Sequence, residues 1–210
     1  MEEVTRRSYD KVARAYARRF RDELAAKPLD RALLEDIARR LGPGAAVLDA
    51  GCGPGHVTAH LAGLGLDAMG VDLSPSMIDV ASSLNPLLRF EVASMLALPV
   101  GDAVLEGIVA MYSVIHLDDA DLPRVFAEFR RALRANGLLL VSFHVGDEVV
   151  HLTEFLGEQV DLDFHLRSMK AMSDWLGSAG FVVELALERS PYPDVEAPTR
   201  RGYVVARSLR

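Results

Sequence analysis

Three kinds of residue in this sequence could do chemistry on one ligand. The first is the glycine turn in Val47-Leu48-Asp49-Ala50-Gly51-Cys52-Gly53-Pro54-Gly55. Glycine has no Cβ and reaches positive φ at little cost, so a ligand can lie against bare backbone there. The second is a pair of acids, Asp49 ahead of the turn and Asp72, 21 residues after Gly51. An acid at that distance, closing the next strand, suits a ribose diol, because a carboxylate accepts from both hydroxyls. The third is a group of histidines, His116, His144 and His165, at or near the loops that follow predicted strands. An imidazole near pKa 6.5 is the usual general base at neutral pH.

Two ligands use a glycine turn followed by such an acid: a dinucleotide and S-adenosylmethionine. The spacing separates them. A dinucleotide fingerprint needs Gly-x-Gly-x-x-Gly, and its third place here holds His56. Asp49 would repel a diphosphate, whereas a ligand carrying an ammonium and a sulfonium would meet it favourably.

Alternating strands and helices must position these groups. Apolar runs at 45–48 and 68–71 predict strands ending at Asp49 and Asp72, and further strands are expected at 88–92, 105–111 and 138–143. Helices are expected at 5–25, 29–41, 56–63, 74–83, 121–135 and 168–179. Ser74 is the N-cap of the fourth, Pro75 stands at its first position, and Asn136-Gly137 stops the fifth. Residues 148–153 and 159–165 alternate around Gly157 and predict a hairpin after a strand end, where it would form a lid. Segments 181–188 and 202–208 are the last two strands, joined by a proline-rich link. Tyr9, Val12, Ala13, Tyr16 and Phe20 make one aromatic stripe on the first helix.

The glycine stretch, together with Val71-Asp72-Leu73-Ser74-Pro75-Ser76-Met77, resembles the class I S-adenosylmethionine-dependent methyltransferases. The resemblance covers roughly residues 40–145 and both ends more loosely. It implies a Rossmann-like, doubly wound α/β fold. Its seven-stranded sheet would be mostly parallel with an antiparallel last strand and helices on both faces. One domain of 1–210 is expected: a helical cover (1–41), a cofactor core (42–145), a hairpin lid (146–165) and a C-terminal helix and strand pair (166–210). The cofactor implied is S-adenosyl-L-methionine, held by Asp49, Gly51, Cys52, Gly53, Asp72 and Met111, with Leu73 beside the adenine. Ala93-Ser94-Met95-Leu96-Ala97-Leu98-Pro99 resembles the adenine loop, with Ala93 and Ser94 in place of Gly and Asp. Ser94 can accept there through its hydroxyl, and the Met95 N–H can bond the ring. A Tyr-Asp-x-x-Ala-x-x-Tyr segment in the first helix implies that Tyr9 or Tyr16 reaches the methionine carboxylate or the acceptor. Tyr112 and His144 are assigned to the acceptor side and His116 to the base. His56 and His60 are assigned a structural or surface role.

The expected activity is methyl transfer to an oxygen or nitrogen of a small metabolite. The alternatives are an NAD-dependent oxidoreductase and a catalytically inactive cofactor-binding homologue. Against the oxidoreductase stand the missing third glycine and the absence of a Tyr-x-x-x-Lys pair. The net charge of −7 argues against a nucleic-acid partner held by phosphate contacts. No apolar run reaches membrane-spanning length, and the single Cys52 cannot form an internal disulfide, which fits a reducing cytoplasm. Asp147, Glu148, His144 and His151 lie close in sequence but match no metal-ligand spacing. The expected partners are a small-molecule methyl acceptor, no metal, no nucleic acid and no membrane, in a monomer or homodimer.

Overall fold

In a computed structural model that describes residues 2–209, seven strands form one sheet in the order β3-β2-β1-β4-β5-β9-β8. The strands are β1 (Ala46–Ala50), β2 (Asp67–Asp72), β3 (Arg89–Val92), β4 (Leu105–Met111), β5 (Leu133–Val145), β8 (Phe181–Arg189) and β9 (Arg200–Ser208). From β3 to β5 neighbouring strands run parallel, and β9 is antiparallel to both β5 and β8. The sheet is therefore seven-stranded with an antiparallel last strand, as the resemblance implies. Strand order reverses between β1 and β4, which opens a crevice beyond their C-terminal ends where such sheets take ligands.

Helices cover both faces: α1 (Glu2–Phe20), α2 (Pro28–Leu41), α3 (His56–Gly63), α4 (Pro75–Leu84), α5 (Leu122–Ala132) and α6 (Met169–Ser178). Successive side chains of a strand point to opposite faces, so β5 feeds two cores. Leu139, Val141 and Phe143 pack with Phe126 and Phe129 of α5 and Leu176 of α6. Leu138 and Leu140 pack with Leu34 and Ile37 of α2 and Leu61 of α3. Ser74 caps α4 by accepting from the Met77 N–H at 3.1 Å.

The hairpin expected at 146–165 is β6 (Val149–Phe155) and β7 (Glu158–His165), a separate two-stranded sheet. Its loop is Leu156-Gly157, both at positive φ (53° and 85°), the backbone that a two-residue hairpin turn demands. Val160 and Leu162 pack against Val12 and Ala13 of α1 and Met77 of α4. Ser8 on α1 stitches the two together: its hydroxyl accepts from the Asp161 N–H (3.0 Å) and donates to the Asp161 carbonyl (3.1 Å).

Two helix ends differ from expectation. The first helix ends at Phe20 and is followed by a separate 3₁₀ turn at Glu23–Ala26. α2 starts on Pro28 itself, where a missing N–H costs nothing. α5 ends at Ala132, before the expected stop, because the fully buried Leu133 turns extended and pairs with Leu105. Asn136 (φ 65°) and Gly137 therefore make a bend inside β5 instead of a helix terminus.

Candidate functional site

The glycine turn follows β1 and leads into α3. Gly51, Gly53 and Gly55 all stand at positive φ (75°, 52° and 81°). A Cβ on Gly51 would lie 2.3 Å from the Cβ of Ser113 and 2.8 Å from the Met95 Cε, so only glycine fits. The Gly51 and Cys52 N–H groups both donate to the Val71 carbonyl at 2.8 and 2.9 Å, which ties the turn to β2.

Asp72 closes β2 and is aimed by backbone. Its Oδ2 accepts from the Gly53 N–H at 2.9 Å and its Oδ1 from the Ser74 N–H at 2.8 Å. Burial pushes its pKa up. Asp49 is 1% exposed, accepts from the Thr58 hydroxyl at 2.7 Å, and is pushed up to about 6 by burial. Neither acid forms an ion pair among the described residues. Buried charge is costly unless it is paired. Two acids without a counter-cation beside a bare-backbone turn therefore form a cradle for a ligand that brings its own positive charge. This donor set fits the methyl donor that the resemblance implies.

Asp49, Gly51, Cys52, Gly53, Asp72, Leu73, Ser94, Met95 and Met111 line one cavity with Tyr9, Tyr16, Tyr112 and His116. His144 does not line it. Its ring sits 5.7 Å from that of Tyr112, its Nδ1 is 2.6 Å from the Thr199 hydroxyl, and burial pushes its pKa down to about 3. His165 is likewise away from the cavity, with its Nε2 3.6 Å from Asp118. Ser94 accepts from the Leu96 N–H at 3.0 Å and donates to the Glu2 carboxylate, so its hydroxyl is engaged within the protein.

Tyr9 and His116 form a pair across the cavity roof. His116 Nδ1 lies 2.9 Å from the Asp163 carbonyl oxygen, which can only accept, so this nitrogen carries the proton. Nε2 is then the acceptor, and the Tyr9 hydroxyl donates to it at 2.6 Å. Burial pushes His116 down to about 4 and Tyr9 up, which keeps both neutral near pH 7. Phe164 packs edge-on against the His116 ring at 4.7 Å. One helix and one strand of the hairpin thus fix a single tautomer.

Beyond the glycine turn the cavity reaches Glu23, Asp30 and His56, which sequence reasoning did not assign to the site. His56 donates from Nε2 to Glu23 at 3.0 Å, and its buried Nδ1 has no partner among the described residues. Asp30 accepts from Tyr112 (3.1 Å), Tyr203 (2.9 Å) and Arg189 (3.0 Å). Arg189 also grips Glu196 with two bonds of 2.6 and 2.8 Å. Tyr112 stands at φ 52°, uncommon for an aromatic residue, and its N–H donates to Ser142 on β5. In the sequence Asp30 reads as an ordinary first-turn acid of a helix and Glu23 as a solvated charge, so no local signal marks either.

A family model described as "Methyltransferase domain" matches residues 47–137. The chain is 28% identical over 193 residues to the malonyl-[acyl-carrier protein] O-methyltransferase of Serratia marcescens, covering 88% of this chain and 73% of that protein. It is 38% identical over 120 residues to the magnesium-protoporphyrin O-methyltransferase of Rhodobacter capsulatus, covering 55% of this chain and half of that protein. Among solved structures, an S-adenosylmethionine-dependent methyltransferase of Methanosarcina mazei matches with a TM-score of 0.74 at 16% identity. That match covers 81% of this chain and 95% of the other. No helix among the described residues is long and apolar enough to cross a membrane, and no metal-capable group of three or more His, Cys, Asp or Glu occurs among them.

Proposed function

This chain belongs to the class I S-adenosylmethionine-dependent methyltransferases, and from that premise we propose that it methylates an oxygen or nitrogen of a small metabolite with His116 as the general base. The observation that carries the reading is the shared cavity: the Gly51–Gly53 turn, the unpaired acids Asp49 and Asp72, and the Tyr9–His116 pair all open onto it. S-adenosylmethionine supplies a methyl carbon already activated by a sulfonium. The protein's part is alignment and proton removal, and in favourable models orientation alone is worth on the order of 7–11 kcal/mol.

In this reading Asp72 accepts from the ribose hydroxyls and Asp49 faces the ammonium. Tyr9 stands between the acceptor and His116. The acceptor's proton passes to the Tyr9 oxygen while the Tyr9 proton passes to His116 Nε2, and His116 ends as an imidazolium. The Asp163 carbonyl holds the Nδ1 proton throughout and stabilises that cation. A depressed pKa keeps His116 ready to accept at every pH above about 4. The acid limb of the rate profile is then expected well below the ordinary histidine value.

Calorimetric titration with S-adenosylhomocysteine and, separately, NAD⁺ tests the premise on which the proposal rests. The expected result is micromolar binding of the first and none of the second. Transfer of labelled methyl into a metabolite extract, by wild type and His116→Ala, tests the base. Unchanged turnover of the true acceptor in the variant removes His116 from the mechanism.

A further inference from the structure

We infer that the acceptor carries an amine, bound as an ammonium, and that carboxylate- and phosphate-bearing acceptors are excluded. This deepens the reading above and rests on it. The donor takes the stretch from Asp49 to Ser94. The space left over is walled by Tyr9, Tyr16, Glu23, Asp30, His56 and Tyr112.

The polar atoms on those walls are carboxylate oxygens, phenol oxygens and the free Nδ1 of His56. The Tyr16 hydroxyl has no partner among the described residues and is free to turn toward a ligand. Six carboxylates line the whole cavity, Glu2, Glu23, Asp30, Asp49, Asp72 and Asp121, and one guanidinium, Arg6. Glu23, Asp30 and Asp121 are paired from behind by Lys27, Arg189 and Arg124, which leaves Glu2, Asp49 and Asp72 without an ion pair among the described residues, against the one net positive charge of the donor.

The nearby cations lie one layer back and are committed. Lys27 Nζ is 2.7 Å from Glu23 and sits over the Tyr112 ring at 5.1 Å. Arg189 is forked onto Glu196 and bonded to Asp30. Arg201 is held by Thr199 and lies 3.6 Å from Glu196. Arg6 is bonded to Asp10 (2.6 Å) and Glu3 (2.7 Å). None of Lys27, Arg189 or Arg201 lines the cavity, and an anionic acceptor would have to break one of these pairs to find a partner. An ammonium meets carboxylates and three tyrosine side chains, surroundings that suit a cation better than an anion. An ammonium must shed a proton to solvent before its nitrogen can attack, and the Tyr9 oxygen and His116 Nε2 offer a route along which that proton leaves.

The test uses full-length protein saturated with S-adenosylhomocysteine, so failure of donor binding is seen first and counts against the parent reading alone. Matched probes that differ only in the terminal group, phenethylamine and 3-phenylpropionate among a panel of such amine and acid pairs, are titrated by ligand-observed NMR. Amines are expected to bind at least about tenfold tighter than their acid partners, with the preference shrinking as salt rises. Glu23→Gln, checked for folding by its retained affinity for S-adenosylhomocysteine, is expected to cut the preference to about threefold or less. Acids binding as tightly as amines, or a panel in which no amine binds, overturns the inference. The salt series on wild type reads the same charge preference should the variant not fold.

Discussion

The side of the cavity proposed for the donor and the side proposed for the acceptor are built by opposite means. On the donor side, Asp49 to Asp72 is a short contiguous stretch, and its geometry is set by backbone: three glycines at positive φ, two N–H groups on one carbonyl, and an aspartate aimed by two further N–H groups. On the acceptor side, Glu23, Asp30, Tyr112, Arg189, Glu196 and Tyr203 come from distant parts of the chain, and side-chain bonds hold them. A backbone-built site tolerates many side-chain changes but no added Cβ. A side-chain-built site is the reverse, and its parts can vary without disturbing the donor cradle. This division suits a fold that keeps one donor and takes many acceptors.

The largest expected effect lies on the acceptor side. Arg189→Met leaves Asp30 and Glu196 buried with fewer partners, and breaking such a pair costs about 3–5 kcal/mol. Chemical denaturation measures this loss, and a cost under about 1 kcal/mol would mean that the network holds little. On the donor side Gly51→Ala is next. The added methyl meets Ser113 and Met95, and alanine must hold φ 75°, so about 1–3 kcal/mol of stability and at least a hundredfold in donor affinity should go together. Donor affinity that survives this change would break the contrast between backbone-built and side-chain-built halves.

Smaller still is a pH effect at Asp49. Burial raises its folded pKa to about 6, above the ordinary carboxylate value, so the folded state holds a proton that the unfolded chain has released. Its contribution to stability is therefore present at low pH and lost as pH rises toward and through 6. Asp49→Asn should gain on wild type across that window, by roughly 1–3 kcal/mol. Donor affinity of the wild type should rise over the same window as the ionised acid appears, and the variant should lack that rise. The smallest change is Ser94→Ala. Its hydroxyl serves Glu2 and Leu96, so donor affinity should move by less than about threefold, within the range of one neutral hydrogen bond. A tenfold loss would show that Ser94 meets the adenine after all.

The geometry of the glycine turn and its two acids was legible because its information is local. Gly51, Gly53, Gly55, Asp49 and Asp72 sit at fixed offsets from two strand ends, and a turn between a strand and a helix has few solutions. The hairpin was legible for the same reason, since alternation around Gly157 marks it, and so was the cap on α4 by Ser74. Where local signals competed with burial they misled. Asn136-Gly137 resembles a helix stop, yet Leu133 had already left the helix to fill the core.

From the sequence alone came the expectation of a seven-stranded α/β sheet, through the resemblance that the glycine stretch and the Asp72 loop carry, and the position of the glycine turn and its two acids at successive strand ends, through periodicity and spacing. Only the tertiary structure decided that His116 is capped by Tyr9 and fixed by the Asp163 carbonyl, 107 and 47 residues away in the chain. It also decided that His144 lies behind Tyr112, and that Glu23, Asp30 and His56 face the remaining space. The physical reason is that a hydrogen-bond partner is chosen by where folding brings side chains together, and burial then sets which of them stays charged.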